Sequence, residues 1–253
     1  KVEDDSMKRC AVIGCGFWSQ FQIAAWKEIK EVELVAVNDK IREKAENIAS
    51  RFNVPKVYDS AEELFQNERI DFVDIITDVS THEKFVLLAA QYGIPVICQK
   101  PLAEDYRTAK NMVEACRKAG VPLLVHENWR WQVPIRALKR RLEEGIIGKP
   151  FRARITYANS FPVFENQPFL AELEQFILAD MGTHILDVAR FLFGEAKSVY
   201  CQTARVHRNI KGEDVASVAM KMDSGLHCNV ELSYASKIEH DRFPETYILV
   251  EGE

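Results

Sequence analysis

The sequence predicts an α/β chain in two parts: a doubly wound parallel sheet over residues 1–127, then an α+β domain over 128–253 whose strands are mostly antiparallel. Three observations carry this prediction. Short apolar runs alternate with helix-period segments through the first half, which is a βαβ rhythm. Those runs lack strict alternation, as strands covered by helices on both faces do. Past Glu127 the runs begin to alternate and a hairpin signal appears.

In order, the predicted parallel strands are CAVIGC (10–15), ELVAVN (33–38), FVDIIT (72–77), IPVICQ (94–99) and VPLLVH (121–126). Between the last two, Ala109, Met112, Val113, Cys116 and Ala119 recur at spacings of three and four, so a helix is expected over 103–119 with Gly120 as its stop. Another helix is expected over 134–144, ending at Gly145, and FRARITYA (151–158) alternates like a half-exposed strand. A further helical stretch over 174–193 stops at Gly194. Three strand-like runs follow: KSVYCQTARVH (197–207), VASVAMKM (215–222) and LHCNVELSYA (226–235), the last two joined by Asp223-Ser224-Gly225. Internal repeats and low-complexity segments are absent.

Composition narrows the function classes. With 253 residues, 47% of them hydrophobic and 28% charged, the chain has the apolar content to bury a sizeable core. A net charge of -5 and the lack of a long basic run argue against a nucleic-acid partner; the cluster Lys139 to Arg141 adjoins Glu143 and Glu144 and reads as a solvated helix face. No stretch reaches the ~20 apolar residues of a membrane span. The start KVEDDS lacks the basic and apolar regions of a signal peptide, so a cytoplasmic location is expected. Six cysteines, none at CxxC spacing, are expected to be reduced thiols, and His126, His207 and His227 show no ligand-like spacing with them, so no metal site is expected.

The first candidate site is AVIGCGFWSQ, which puts Gly14 and Gly16 where the first strand turns into a helix, so backbone can approach a pyrophosphate at a helix N-terminus. Ser19 stands where a third glycine would let helix and strand pack closely. Asp39 follows the second strand at about the 20-residue distance at which a carboxylate accepts from ribose hydroxyls. The competing reading makes Asn38-Asp39 a cap of the next helix. Asp39 would repel a 2′-phosphate and so favours NAD, whereas the nearby cations Lys40 and Arg42 would offset this for NADP.

The second candidate is VICQKPLA. In open α/β sheets ligands bind beyond the carboxyl ends of strands, which is where Gln99, Lys100 and Pro101 fall. Proline restricts the turn and biases Lys100 toward an extended conformation. A phosphate- or surface-facing lysine is the alternative on this segment alone. The third candidate is ADMGTHILDVARFLFG, where Asp180, His184 and Asp187 at i, i+4 and i+7 fall within about 60° of one helical face. Such a polar stripe on an apolar helix faces water or a site; a histidine merely hydrogen-bonded to a neighbouring carboxylate is the plainer alternative.

Together these segments resemble the family of glucose-fructose oxidoreductase, inositol dehydrogenase and rhizopine catabolism (Gfo/Idh/MocA) proteins. GCGFWS resembles its nucleotide turn, VICQKPLA its Glu-Lys-Pro motif, HENWRW the segment leaving its nucleotide domain, and DMGTHILD its Gly-x-His-x-x-Asp helix. Two departures stand out: Gln99 replaces the usual glutamate, and Val79 in TDVSTH replaces the asparagine of a Thr-Pro-Asn-x-x-His pattern. The resemblance implies a Rossmann domain followed by an α/β domain whose open sheet covers the active site and joins subunits as a homodimer or homotetramer. It also implies that TYILVEGE is a mid-sheet strand of a longer domain. Lys100, Asp180 and His184 would be the catalytic group; Gly14, Gly16, Phe17, Trp18, Asp39, Lys40, Thr77, His82, Gln99 and Lys100 would line the cofactor; and Asn128, Arg130 and Tyr157 would join Asp180 and His184 on the substrate side. Trp129 and Trp131 are alternatively read as a packed interdomain seam.

The activity so implied is NAD(P)-dependent hydride transfer at a secondary hydroxyl of a sugar, inositol or related polyol, with His184 as base, Lys100 stabilising the alkoxide and Asp180 binding a neighbouring hydroxyl. The rival is a regulatory protein that senses NAD(P) on the same scaffold without turnover. The intact Lys, Asp and His set speaks against that rival; Ser19, Gln99 and Val79 speak for it.

Overall fold

The computed structural model describes residues 7–237 and 246–253, so the KVEDDS start lies outside the described residues. The chain divides into two compact units, Lys1–His126 and Glu127–Glu253. The first holds β1 (Lys8–Ile13), α1 (Ser19–Glu28), β2 (Val32–Asn38), α2 (Arg42–Phe52), β3 (Lys56–Tyr58), α3 (Ala61–Asn67), β4 (Phe72–Ile75), α4 (His82–Gln91), β5 (Val96–Gln99), α5 (Tyr106–Ala119) and β6 (Leu123–His126). Its six strands are all parallel in the order β3-β2-β1-β4-β5-β6.

Burial on both faces explains why these strands read as continuous apolar runs. Cys10 and Val12 of β1 pack with Leu34, Val37 and Ile23 on one face of the sheet. Ala11 and Ile13 pack with Val73, Ile75, Val86 and Met112 on the other. Helix α5 starts at Tyr106, later than its apolar period suggests, because the Asp105 carboxylate accepts the Thr108 N–H (2.9 Å) and fixes the cap there. Gly120, at φ +70°, ends it in the left-handed region that favours glycine. The order reverses at β1, from which the chain runs out to β2 and β3 and then returns to β4. That switch point opens a crevice beyond the carboxyl ends of β1 and β4, where a ligand of such a sheet binds.

The second unit holds α6 (Val133–Glu143), β7 (Pro150–Ala158), the short α7 (Val163–Asn166), α8 (Thr183–Phe193), β8 (Ala196–Ala204), β9 (Val215–Met222), β10 (His227–Ser233) and β11 (Thr246–Gly252). Its sheet runs β11-β7-β10-β9-β8, antiparallel throughout except where β10 lies parallel to β7. The Asp223-Ser224-Gly225 hairpin forms as expected, with Gly225 at φ +88°. Ala153, Ile155 and Tyr157 of β7 and Val218, Met220, Val230 and Leu232 of the hairpin turn one face onto α8, through Ile185, Val188 and Ala189. The expected helix over 174–193 is not continuous. Leu178–Gly182 is a single π-helical turn, and α-helix proper begins at Thr183. No described helix is long and apolar enough to cross a membrane.

Candidate active site

In the first unit the glycine turn occupies the crevice between β1 and β4. Gly14 stands at φ +100°, and a Cβ on it would lie 2.4 Å from the Ile76 carbonyl oxygen and 2.9 Å from the Thr77 methyl. Backbone packing therefore requires glycine there. A Cβ on Gly16 would meet nothing within 4 Å, so that position faces open space through which a ligand can approach. Behind it α1 begins with no side-chain cap and no acid in its first turn, leaving the positive end of its dipole for an anion. Ser19 fits the third glycine's place: fully buried, it donates its hydroxyl to the Gly16 carbonyl at 2.7 Å. These features suit the pyrophosphate of a dinucleotide.

Asp39 accepts the Cys15 N–H on one oxygen (2.7 Å) and the Ile41 N–H on the other (2.8 Å). It braces the glycine turn, and no side chain caps α2. The cations beside it are held by acids: Arg42 by Glu46 (2.8 Å) and Asp59 (2.5 Å), Lys40 by Asp78 (3.7 Å). Phe17 and Trp18 are exposed aromatic rings at the mouth of the turn, in contact with Phe21. Thr77 accepts a hydrogen bond from the Thr81 hydroxyl at 2.8 Å. His82 is buried, with Nδ1 at 3.1 Å from the Pro101 carbonyl and Nε2 at 3.0 Å from that of Thr77, so it clasps the loop after β5 to the loop after β4.

Lys100 leaves the carboxyl end of β5, and its peptide bond to Pro101 is cis. Gln99 before it is nearly buried and its amide is committed: Oε1 accepts the Lys100 N–H (2.7 Å), while Nε2 lies 3.0 Å from Gln22 Oε1 and 3.3 Å from His126 Nδ1.

The second unit gathers the other predicted residues around the start of α8. His184 is buried, its Nδ1 2.7 Å from a Glu127 oxygen that also accepts the Trp129 N–H (2.9 Å), and the Trp129 ring stacks on the imidazole at 5.2 Å. A carboxylate accepts only, so the Nδ1 proton is on the ring and Nε2 is the basic nitrogen. Asp187, on the same helix, is instead engaged by Arg130 in a two-bonded ion pair. Arg130 thereby locks the segment after β6 to α8, with its guanidinium over the Phe191 ring at 5.3 Å. Asp180 lies in the π turn and accepts from the Tyr234 phenol at 3.2 Å. Burial, then the nearby Asp180 charge, push the Tyr234 phenol well up, so it stays a donor. Tyr157 is fully buried beneath, hydrogen-bonded to Tyr234, while Asn128 is exposed. Trp131 is exposed, and Trp129 packs on Tyr157 and His184.

Glu127 and Tyr234 were not assigned from sequence. Glu127 stands in the HENWRW segment, but its partner is 57 residues away and no periodicity joins them. Among the described residues no group of three or more His, Cys, Asp or Glu side chains is placed to hold a metal ion.

Residues 8–127 match the model of the oxidoreductase family with an NAD-binding Rossmann fold, and residues 135–252 that of the GFO/IDH/MocA C-terminal domain. The D-apiose dehydrogenase of Rhizobium rhizogenes is 43% identical over 242 residues, which are 96% of this chain and 70% of that protein. The chain belongs to the Gfo/Idh/MocA oxidoreductase family. A second member, the D-apiose dehydrogenase of Paraburkholderia graminis, is 45% identical over 242 residues. The chain spans 96% of its own length in that match and 64% of the relative's. An oxidoreductase from Agrobacterium radiobacter, solved in complex with NAD+, L-tartaric acid and magnesium, superposes with a TM-score of 0.94 at 43% identity, covering 97% of this chain and 72% of that one. The first unit is thus the family's NAD-binding domain and the second its C-terminal domain.

Proposed function

We propose that this chain is an NAD-dependent dehydrogenase of a sugar or related polyol, with D-apiose as the first compound to test. The observation that carries the reading is the Glu127–His184 pair, which presents a basic Nε2 from the start of α8. Oxidising a secondary alcohol needs a group that takes the hydroxyl proton as the carbon-bound hydrogen leaves, and a histidine oriented by a carboxylate is suited to that step. NAD, when bound, supplies the acceptor for that hydrogen with its electron pair.

Each remaining residue has a task in this scheme. Lys100 stabilises the alkoxide that forms as His184 removes the proton. Asp180, backed by Tyr234 and Tyr157, binds a hydroxyl next to the reacting carbon. Gly14, Gly16 and the start of α1 hold the pyrophosphate, Asp39 the ribose, and Phe17 and Trp18 cover the cofactor; the acids that hold Lys40 and Arg42 support NAD over NADP. Arg130 and Asn128 border the substrate. The relatives' names support the substrate class, and the six free thiols, five of them buried, support a cytoplasmic location. Assembly as a homodimer or homotetramer through the second unit's sheet belongs to the same proposal.

The test follows the near-ultraviolet absorbance of reduced nicotinamide with D-apiose, other aldoses and inositols. NAD-linked turnover on at least one of them is expected, with Lys100→Ala and His184→Ala each lowering it by roughly 10²–10⁴-fold while NAD affinity stays nearly unchanged. NAD binding without turnover across the whole panel would instead establish the sensor reading.

A further inference from the structure

A buried chain of polar groups runs behind β5 through the first unit. We propose that the Asp74 carboxylate dictates, through Gln22, that residue 99 be an amide, and so positions the backbone from which Lys100 projects. Asp74, in the middle of β4, is fully buried and accepts from Trp26 Nε1 (2.6 Å) and from Gln22 Nε2 (2.7 and 2.8 Å). An ionised carboxylate accepts only, so Gln22 must turn its NH2 toward Asp74 and its oxygen the other way. That oxygen lies 3.0 Å from Gln99 Nε2, and residue 99 must therefore donate.

The amide of Gln99 meets this demand in full. One N–H goes to Gln22, the other faces His126 Nδ1 at 3.3 Å, and the oxygen takes the Lys100 N–H at 2.7 Å. It follows that His126 Nδ1 is unprotonated and its Nε2 carries the hydrogen. Burial pushes Asp74 up to about 6, against the pull of the Trp26 and Gln22 donors, so it is ionised above neutrality. A carboxylate at position 99 would point a second acceptor at the Gln22 oxygen, with no hydrogen between them and a second negative charge in the same buried chain. An amide at position 74 removes the conflict. Its NH2 can donate to the Gln22 oxygen, Gln22 can then donate to the carboxylate at position 99, and the oxygen of the new amide still accepts from Trp26. The glutamine that departs from the family's Glu-Lys-Pro pattern is thus tied to an aspartate on the neighbouring strand.

The test uses the whole chain above neutrality and reads thermal midpoints and the ¹⁵N shifts of the His126 ring. Wild type is expected to show the Nε2–H tautomer. Gln99→Glu should lower the midpoint by roughly 5–10 °C. The double variant Asp74→Asn/Gln99→Glu should recover most of that loss and move the His126 proton to Nδ1, where the new carboxylate accepts it. Additive losses in the double variant, or an Nδ1–H tautomer in wild type, would overturn the proposal; the wild-type spectrum stands even if Gln99→Glu does not fold. The consequence for catalysis rests on the role proposed for Lys100 and is read separately, as kcat. Recovered midpoint and shifted tautomer with kcat insensitive to both variants would confirm the coupling and remove the link to Lys100.

Discussion

Glu127 shows how one side chain can set the chemistry of another across the chain. Its Oε1 accepts from both the Trp129 N–H and His184 Nδ1. In Glu127→Gln the amide oxygen can remain at that position, so the imidazole keeps its tautomer and loses only the adjacent negative charge that stabilises the imidazolium formed during turnover. The expected result is a fall in kcat of about 10- to 100-fold with substrate KM within about twofold of wild type. An unchanged kcat would remove Glu127 from the machinery. His184, Lys100 and Asp180 were singled out as candidates from the sequence because they sit in compact motifs. Glu127, Tyr234 and Asp74 were not, because their partners lie 57, 54 and 52 residues away and become neighbours only once the sheets form. Asp187, on the same helical face as His184, is likewise engaged from another segment, by Arg130.

At the scale of elements, apolar period located most of what formed, and the misses have local causes. β3 has three residues and stands at the sheet edge, and α3 has seven, so neither carries enough of a pattern to register. The turn at Leu178–Gly182 was read as ordinary α-helix because a π turn changes the hydrogen-bond ring without needing a distinctive residue, and such turns recur at functional sites. Asp180 lies in this turn and accepts from Tyr234. The β1–α1 turn, by contrast, was legible because its geometry demands glycine. Gly14→Ala would place a methyl 2.4 Å from the Ile76 carbonyl oxygen at a positive φ. The turn must then shift away from β4 or the variant loses roughly 2 kcal/mol or more of stability. Calorimetric titration should show NAD affinity reduced at least about tenfold, and wild-type affinity in a folded variant would exclude this turn as the pyrophosphate site. Gly16→Ala, with open space around its Cβ, should fold like wild type and lose affinity only through contact with the ligand.

At the scale of the whole molecule, the proposed reaction divides its work between units: Lys100 belongs to the first, His184 and its Glu127 partner to the second. Each unit has its own core, so a substitution at either residue can be made without disturbing the packing of the other. If Lys100 stabilises the same oxygen from which His184 takes the proton, neither group contributes fully without the other. Removing the base leaves no alkoxide for the lysine to stabilise, and removing the lysine leaves the base working against an unstabilised anion. Residues acting on one transition state in this way lose far less in combination than the product of their separate losses. The kcat of Lys100→Ala/His184→Ala is therefore expected to lie within about tenfold of the worse single variant, with NAD affinity retained in all three proteins. Losses that multiply would mean that the two residues act in different steps or at different sites, and the shared alkoxide would have to be abandoned even if each single variant were strongly impaired.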